Sequence, residues 1–125
     1  MAATILVHLT WTTWQREPLI TPDTAPMLRR FFDLCTRRHG AVLCELGILP
    51  DHVHILLALP PEHSIPRLAQ ALKGASSRIA NRDGLTGGDR PLRWANGYDV
   101  RSVSPRARAA VERYIRNQRG SLLPR

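Results

Sequence analysis

Residues 49–61 read LPDHVHILLALPP. A Pro-Asp turn signal opens the stretch and a proline pair closes it, so the chain between, from His52 to Leu59, reads as a strand. Side chains alternate along a strand, so Val53, Ile55, Leu57 and Leu59 form one wholly apolar face. That face belongs against a layer of helices. His52 and His54 share the other face with Leu56 and Ala58, and are expected to look toward the open side of a sheet. The preceding run AVLCELGIL (41–49) reads as a strand hairpin-paired with this one through Pro50-Asp51. Two antiparallel strands with one apolar face then set the fold class.

Outward from the hairpin the pattern repeats. In TILVHLTWTT (4–13), Ile5, Val7, Leu9 and Trp11 recur at period two and give a first strand. TPDTAPMLRRFFDLCTRRHG (21–40) reads as a helix, with Asp23 or Thr24 as N-cap, Pro26 in the first turn and Gly40 at the end. Its expected apolar stripe is Met27, Leu28, Phe31, Leu34 and Cys35. Ser64 caps a second helix carrying Ile65, Leu68, Leu72, Ala75 and Ile79. NRDGLTGGDRP (81–91) is the clearest loop. LRWANGYDVRSV (92–103) reads as a fourth strand broken at Asn96-Gly97, and Ser104-Pro105 begins a last helix that ends near Gly120. The order β-α-β-β-α-β-α predicts an α+β fold, a ferredoxin-like or RRM-like antiparallel sheet with helices on one face and an extra C-terminal helix. At 125 residues the chain is expected to be a single domain spanning 1–125.

The composition points to a partner. Formal net charge is +8, and Lys73 is the only lysine among 18 basic residues. Guanidinium groups bind phosphate in a bidentate fork, so an Arg-dominated positive chain is expected to meet nucleic acid. Arg-rich coding bias could explain arginine over lysine, but not the excess of positive charge. Cys35 and Cys44 fall in no ligand or redox spacing, which suits a reduced compartment. No apolar run approaches the ~20 residues of a membrane helix, and the first strand alternates rather than running like a signal core. The expected location is cytoplasmic, at the nucleoid, with no membrane contact.

Two features carry chemistry. His52 and His54 lie about 7 Å apart along one strand face, close enough to converge on one divalent ion. They would equally serve as two half-buried histidines with satisfied hydrogen bonds. In VERYIRNQRG (111–120), Tyr114 and Gln118 stand at i and i+4 on one helix face, where a phenol and a carboxamide could act together. A tyrosine on an amphipathic helix is also an ordinary packing residue with a wet hydroxyl.

PDHVHILLALPP, LAQALKGASSRIANR, LRWANGYDVRSVS and VERYIRNQ, in that order, resemble the single-tyrosine HUH transposases of the IS200/IS605 family. The opening VHLTWTTWQREPLI resembles that family's first strand and loop, so the likeness runs from about residue 5 to 119. LTGGDRP stands where the family often has a more aromatic or basic loop. The resemblance implies that His52 and His54 bind Mg²⁺ or Mn²⁺, with Gln118 as third metal ligand and Tyr114 as nucleophile. It implies cleavage and rejoining of single-stranded DNA through a 5′-phosphotyrosine, next to hairpins at element ends. It also implies a homodimer with shared active sites, the tyrosine helix of one chain serving the histidines of the other. The glycines Gly84, Gly87, Gly88 and Gly97, in connections ahead of the last helix, are expected to let that helix move. The alternative within the resemblance is a domesticated relative that processes, or merely binds, repeated palindromic DNA.

Neutral imidazoles and a carboxamide would leave a bound cation its full charge for an anionic phosphodiester, where carboxylates would cancel part of it. A phenol with a pKa near ~10 is a weak nucleophile until something favours its ionised form. For DNA contact the expected residues are Lys73, Ser77 and Arg78, in the segment that resembles the family. Trp94 and Tyr98 are candidates for base stacking, or else core.

Overall fold

The computed structural model describes residues 4–86 and 90–124. Gly87 and Gly88, two of the loop glycines named above, lie outside the described residues. The strands are β1 (Ile5–Thr12), β2 (Val42–Ile48), β3 (His52–Leu59) and β4 (Asp99–Val103), and the helices are α1 (Thr24–Arg38), α2 (Ile65–Arg82) and α3 (Arg108–Arg116). All neighbouring strands are antiparallel, in the order β2-β3-β1-β4. The β1-α1-β2 unit is therefore split, with β3 inserted between its strands, as the expected ferredoxin-like topology requires.

The apolar faces read from the sequence build the core. Val7, Leu9 and Trp11 of β1 and Val53, Ile55, Leu57 and Leu59 of β3 are buried, together with Leu28 and Phe32 of α1 and Leu68, Ala69 and Leu72 of α2. Ser64 caps α2 through its hydroxyl, which accepts from the Arg67 amide. Of the expected α1 stripe, Met27, Leu28 and Cys35 are buried and Phe31 packs partly buried against the core, while one position differs. Phe32 is fully buried and Leu34 is 40% exposed, because the i, i+4, i+7 series that faces the sheet runs Leu28, Phe32, Cys35.

Three expectations are corrected. The fourth strand begins only at Asp99: Gly97 takes a left-handed φ of 83° and ends the extended run, while Trp94 makes an isolated bridge to Thr13. The last helix opens with a 3₁₀ turn, Pro105–Ala107, capped by Ser104, and stops at Arg116 rather than near Gly120. Gly120, at φ 84°, turns the chain back so that the Leu122 amide donates to the Ile48 carbonyl at 2.8 Å and Leu123 joins the core. Third, the histidine face of the sheet is not open. Helix α3 lies on it, Ile115 is fully buried, and Leu56 and His54 are 0% and 7% exposed. None of the helices described is long and apolar enough to cross a membrane.

Candidate active site

The second sheet face is built by register. Because β1 runs beside β3, Thr10 lies opposite His54 and His8 opposite Leu56, while Gly47 of β2 lies opposite His54 on the other side. Gly47 leaves room for α3. A Cβ there would sit 3.0 Å from the Ile115 carbonyl oxygen and 3.1 Å from its side chain. The closeness of helix and sheet at this point brings Tyr114, one residue earlier, over the histidines. Its ring is 5.7 Å from that of His54 and 6.3 Å from that of His8, edge-on to both. Tyr114 is nevertheless 56% exposed, so a macromolecular substrate has access to it.

Both histidines of the pair have one ring nitrogen engaged. The Asp51 carboxylate accepts from His52 Nδ1 at 2.6 Å, and Arg16 lies 3.4 Å from the other Asp51 oxygen. Burial pushes the Asp51 carboxyl up, but the hydrogen bond from His52 and the charges of His52 and Arg16 outweigh it and hold it below the usual carboxylate range. His54 Nδ1 lies 3.0 Å from His8 Nε2. Burial, and then the charges of His52 and His8, push the His54 pKa down to about 4. His54 is therefore neutral near pH 7, the state a metal ligand needs.

His52 donates from Nδ1 to a carboxylate and so has Nε2 left to ligate, while His54 has Nε2 left when the proton shared with His8 sits on its Nδ1. The two rings lie 4.9 Å apart between centroids, edge to face. No group of three or more His, Cys, Asp or Glu side chains that could hold a metal ion occurs among the described residues. The resemblance implies the amide oxygen of Gln118 as a third ligand. Gln118 is two residues beyond α3, not on it, and its amide nitrogen donates to the Tyr114 carbonyl at 2.8 Å. That bond leaves Oε1, the atom that could ligate, as its remaining acceptor. Imidazole nitrogens and a carboxamide oxygen are donor types that a divalent cation accepts.

The expected DNA contacts do not join this cluster. Lys73, Ser77 and Arg78 are on α2, in the layer across the sheet from α3. Lys73 Nζ donates to the carbonyls of Ala95 and Gly97, both at 2.7 Å, and so pins the loop ahead of β4. Ser77 bonds back to the Lys73 and Gly74 carbonyls, and Arg78 is exposed. Trp94 is core: it packs edge-on against Trp11, and its indole nitrogen donates to Ser76 Oγ at 3.0 Å. Tyr98 is 37% exposed. The residue sequence reading missed is His8. Its signal was available, since a histidine between Val7 and Leu9 must face away from the core, and the predicted topology puts β1 next to β3.

The family described as "Transposase IS200 like" matches residues 2–118. The chain belongs to that family. It is 32% identical over 117 residues to the ISDra2 transposase TnpA of Deinococcus radiodurans, covering 89% of this chain and 81% of that one. A crystal structure of a candidate transposase from Deinococcus radiodurans R1 superposes with a TM-score of 0.72 at 32% identity, covering 94% of this chain and 93% of the other. The structure of a REP-associated tyrosine transposase bound to a REP hairpin has a TM-score of 0.67 at 15% identity, covering 92% of this chain and 66% of that one. It shows that the fold is shared.

Proposed function

We propose that this IS200-like transposase cuts and rejoins single-stranded DNA through a covalent link between Tyr114 and a 5′-phosphate. The observation that carries the reading is the placement of an exposed tyrosine ring 5.7 Å from one member of a histidine pair whose Nδ1 atoms are both engaged. Mg²⁺ or Mn²⁺ would be held by His52, His54 and Gln118, and would supply Lewis acidity and a template for the phosphate. The Tyr114 oxygen forms a bond to phosphorus as the bond to the 3′-oxygen breaks. The phenol loses its proton to solvent, and the departing 3′-oxygen gains one. A second strand's 3′-hydroxyl reverses the step, so no nucleotide cofactor is consumed. Arg113, next to Tyr114 on α3, and Arg101, opposite His8 on β4, are exposed and suited to contact the DNA backbone.

Hairpins near element ends are the proposed recognition feature, supported by the hairpin carried by a protein of the same fold. For the assembly, a homodimer is what the family resemblance implies. The resemblance also implies sharing of sites, but each chain holds its own His52, His54 and Tyr114 together, which favours a site completed within one chain. Gly84 and Gly97 precede β4, whose pairing with β1 separates them from α3, and the Ser104–Ala107 connection contains no glycine.

Incubation with hairpin-bearing single-stranded DNA and Mg²⁺ tests the reading. A covalent protein–DNA adduct is expected, lost in EDTA and in His52→Ala or His54→Ala while most DNA affinity remains, because affinity comes mainly from phosphate contacts. Full-rate cleavage in EDTA would remove the metal from the proposal. Hairpin binding without any adduct would instead favour a domesticated protein that merely binds palindromic DNA.

A further inference from the structure

His8 stands outside the roles proposed so far, yet its ring nitrogen meets the one atom that decides what His54 can do. His8 Nε2 lies 3.0 Å from His54 Nδ1, and Thr10 Oγ1 sits beside the pair, 3.4 Å from His8 Nε2. Two ring nitrogens at that distance share one proton, and there are two ways to place it. If His8 donates, His54 Nδ1 accepts and the His54 proton must sit on Nε2, where no lone pair is left for a cation. If His8 accepts, His54 is protonated at Nδ1 and its Nε2 is free. The neighbouring histidine shows the second solution already built: the anionic Asp51 only accepts, so His52 carries its proton on Nδ1.

We propose that His8 is the positioning residue of His54, accepting from its Nδ1–H and so presenting Nε2 as the ligating atom. Asp51–His52 and His8–His54 then form two parallel pairs, one from the turn before β3 and one from the strand beside it. A ligating histidine commonly has such a partner on its other nitrogen, which fixes both tautomer and ring orientation. Register holds the arrangement: β1 pairs with β3 across the site, Thr10 directly opposite His54 and His8 two residues away on the same face. Direct ligation by His8 is disfavoured because the nitrogen that faces His54 is already occupied by it. The role rests on the proposed metal site only for its purpose, since the tautomer of His54 is a property of the metal-free protein.

The test begins without metal. In ¹⁵N-histidine-labelled protein in EDTA near pH 7.5, long-range ¹H–¹⁵N correlations report which nitrogen of each of the five histidines carries the proton. Wild-type His54 is expected to be protonated at Nδ1. An Nε2–H form in the wild type would overturn the proposal with no variant needed. His8→Leu should shift His54 toward Nε2–H and weaken Mn²⁺ binding, followed by electron paramagnetic resonance without DNA, by about 10–100-fold. His8→Gln offers a carbonyl oxygen near the position of the imidazole Nε2 and should restore both readouts. An unchanged His54 tautomer in folded His8→Leu would also overturn it. If wild-type His54 carries the Nδ1 proton and His8→Leu moves it, but Mn²⁺ binds no better to wild type than to His52→Ala/His54→Ala, the positioning stands and the metal reading fails.

Discussion

Ile115 lies so close over Gly47 that a Cβ on Gly47 would sit 3.0 Å from the Ile115 carbonyl oxygen, a contact relieved only if the helix gives by a few tenths of an ångström. A backbone oxygen cannot rotate aside, so Gly47→Ala must lift α3 from the sheet. Overpacking of this kind costs about 1–3 kcal/mol, which the core below the sheet can absorb. Activity should suffer too, because Tyr114 moves with Ile115: misplacement of about 1 Å at a reacting group costs on the order of 100-fold, and a few tenths of an ångström a smaller part of that. Gly47→Ala is therefore expected to fold, with a modestly lowered Tm, and to form the DNA adduct about threefold more slowly or worse. Thermal melting and single-turnover adduct formation measured together separate the two effects.

Acid should destabilise the protein through the same cluster. Buried on β3, facing His8 on β1, His52 on its own strand and Tyr114 on α3, with Asp99 and Arg101 beyond on β4, His54 is held down to about 4. His8 is lowered too, by burial, with Arg101 adding to the shift and Asp99 opposing it. An unfolded histidine titrates near ~6.5. Between these values the unfolded chain binds more protons than the folded one, so stability rises with pH across the window and is lost as pH falls through it. Tm should drop from about pH 6.5 to about pH 4 with EDTA present, and His54→Gln should flatten that slope. A variant slope equal to wild type would remove His54 as its source.

DNA binding should be strongly salt-dependent. The net charge of +8 is carried almost wholly by arginines, and Arg106, Arg113 and Arg119, on α3 or just before and after it, are exposed. If several contact phosphates, log affinity for hairpin DNA should fall against log salt with a slope of roughly −4 or steeper. A hairpin should outcompete an unstructured strand of equal length. Equal competition would make the protein a general single-strand binder. Because Lys73 Nζ already serves the Ala95 and Gly97 carbonyls, Lys73→Met should disturb that loop and lower Tm rather than simply reduce the salt slope.

The fold was legible where one periodicity settled one face. β3 has the residue bounds that its turn signals predict, and its apolar face is buried as read. Ser64 and Ser104 cap as read, since a capping serine acts on an amide three residues away and needs no tertiary information. What failed depended on distant partners. The histidine face read as open because nothing in β3 reveals that α3 returns to cover it, and the sign lay elsewhere, in Gly47. Gln118 read as helical because its spacing from Tyr114 is helical, whereas Gly120 and the Leu122–Ile48 hydrogen bond turn the chain away. His52, His54 and Tyr114 were singled out through the resemblance to the family, whose short motifs survive in sequence. His8 was not, because its importance lies in a pairing 46 residues away.

Whether a tyrosine acts on its own chain's histidines is decided by mixing. Tyr114→Phe removes only a hydroxyl from a largely exposed ring, so it should fold, bind DNA normally and form no adduct. His52→Ala/His54→Ala keeps the tyrosine and loses the histidine pair, so it too should be inert. If α3 crosses between chains in a homodimer, some mixed dimers pair a good tyrosine with good histidines, and adduct formation returns on subunit exchange. The geometry argues for the other outcome. Helix α3 is bound to its own sheet by the Gly47–Ile115 contact, by Arg116 to Glu45 at 3.1 Å, and by a connection from β4 that is capped at Ser104 and free of glycine. Exchange would have to break all of these in each chain. No rescue is therefore expected in mixtures in which heterodimers are demonstrated with differently tagged chains. Rescue would establish shared sites and would mean that the Ser104–Ala107 connection opens to let the helix cross.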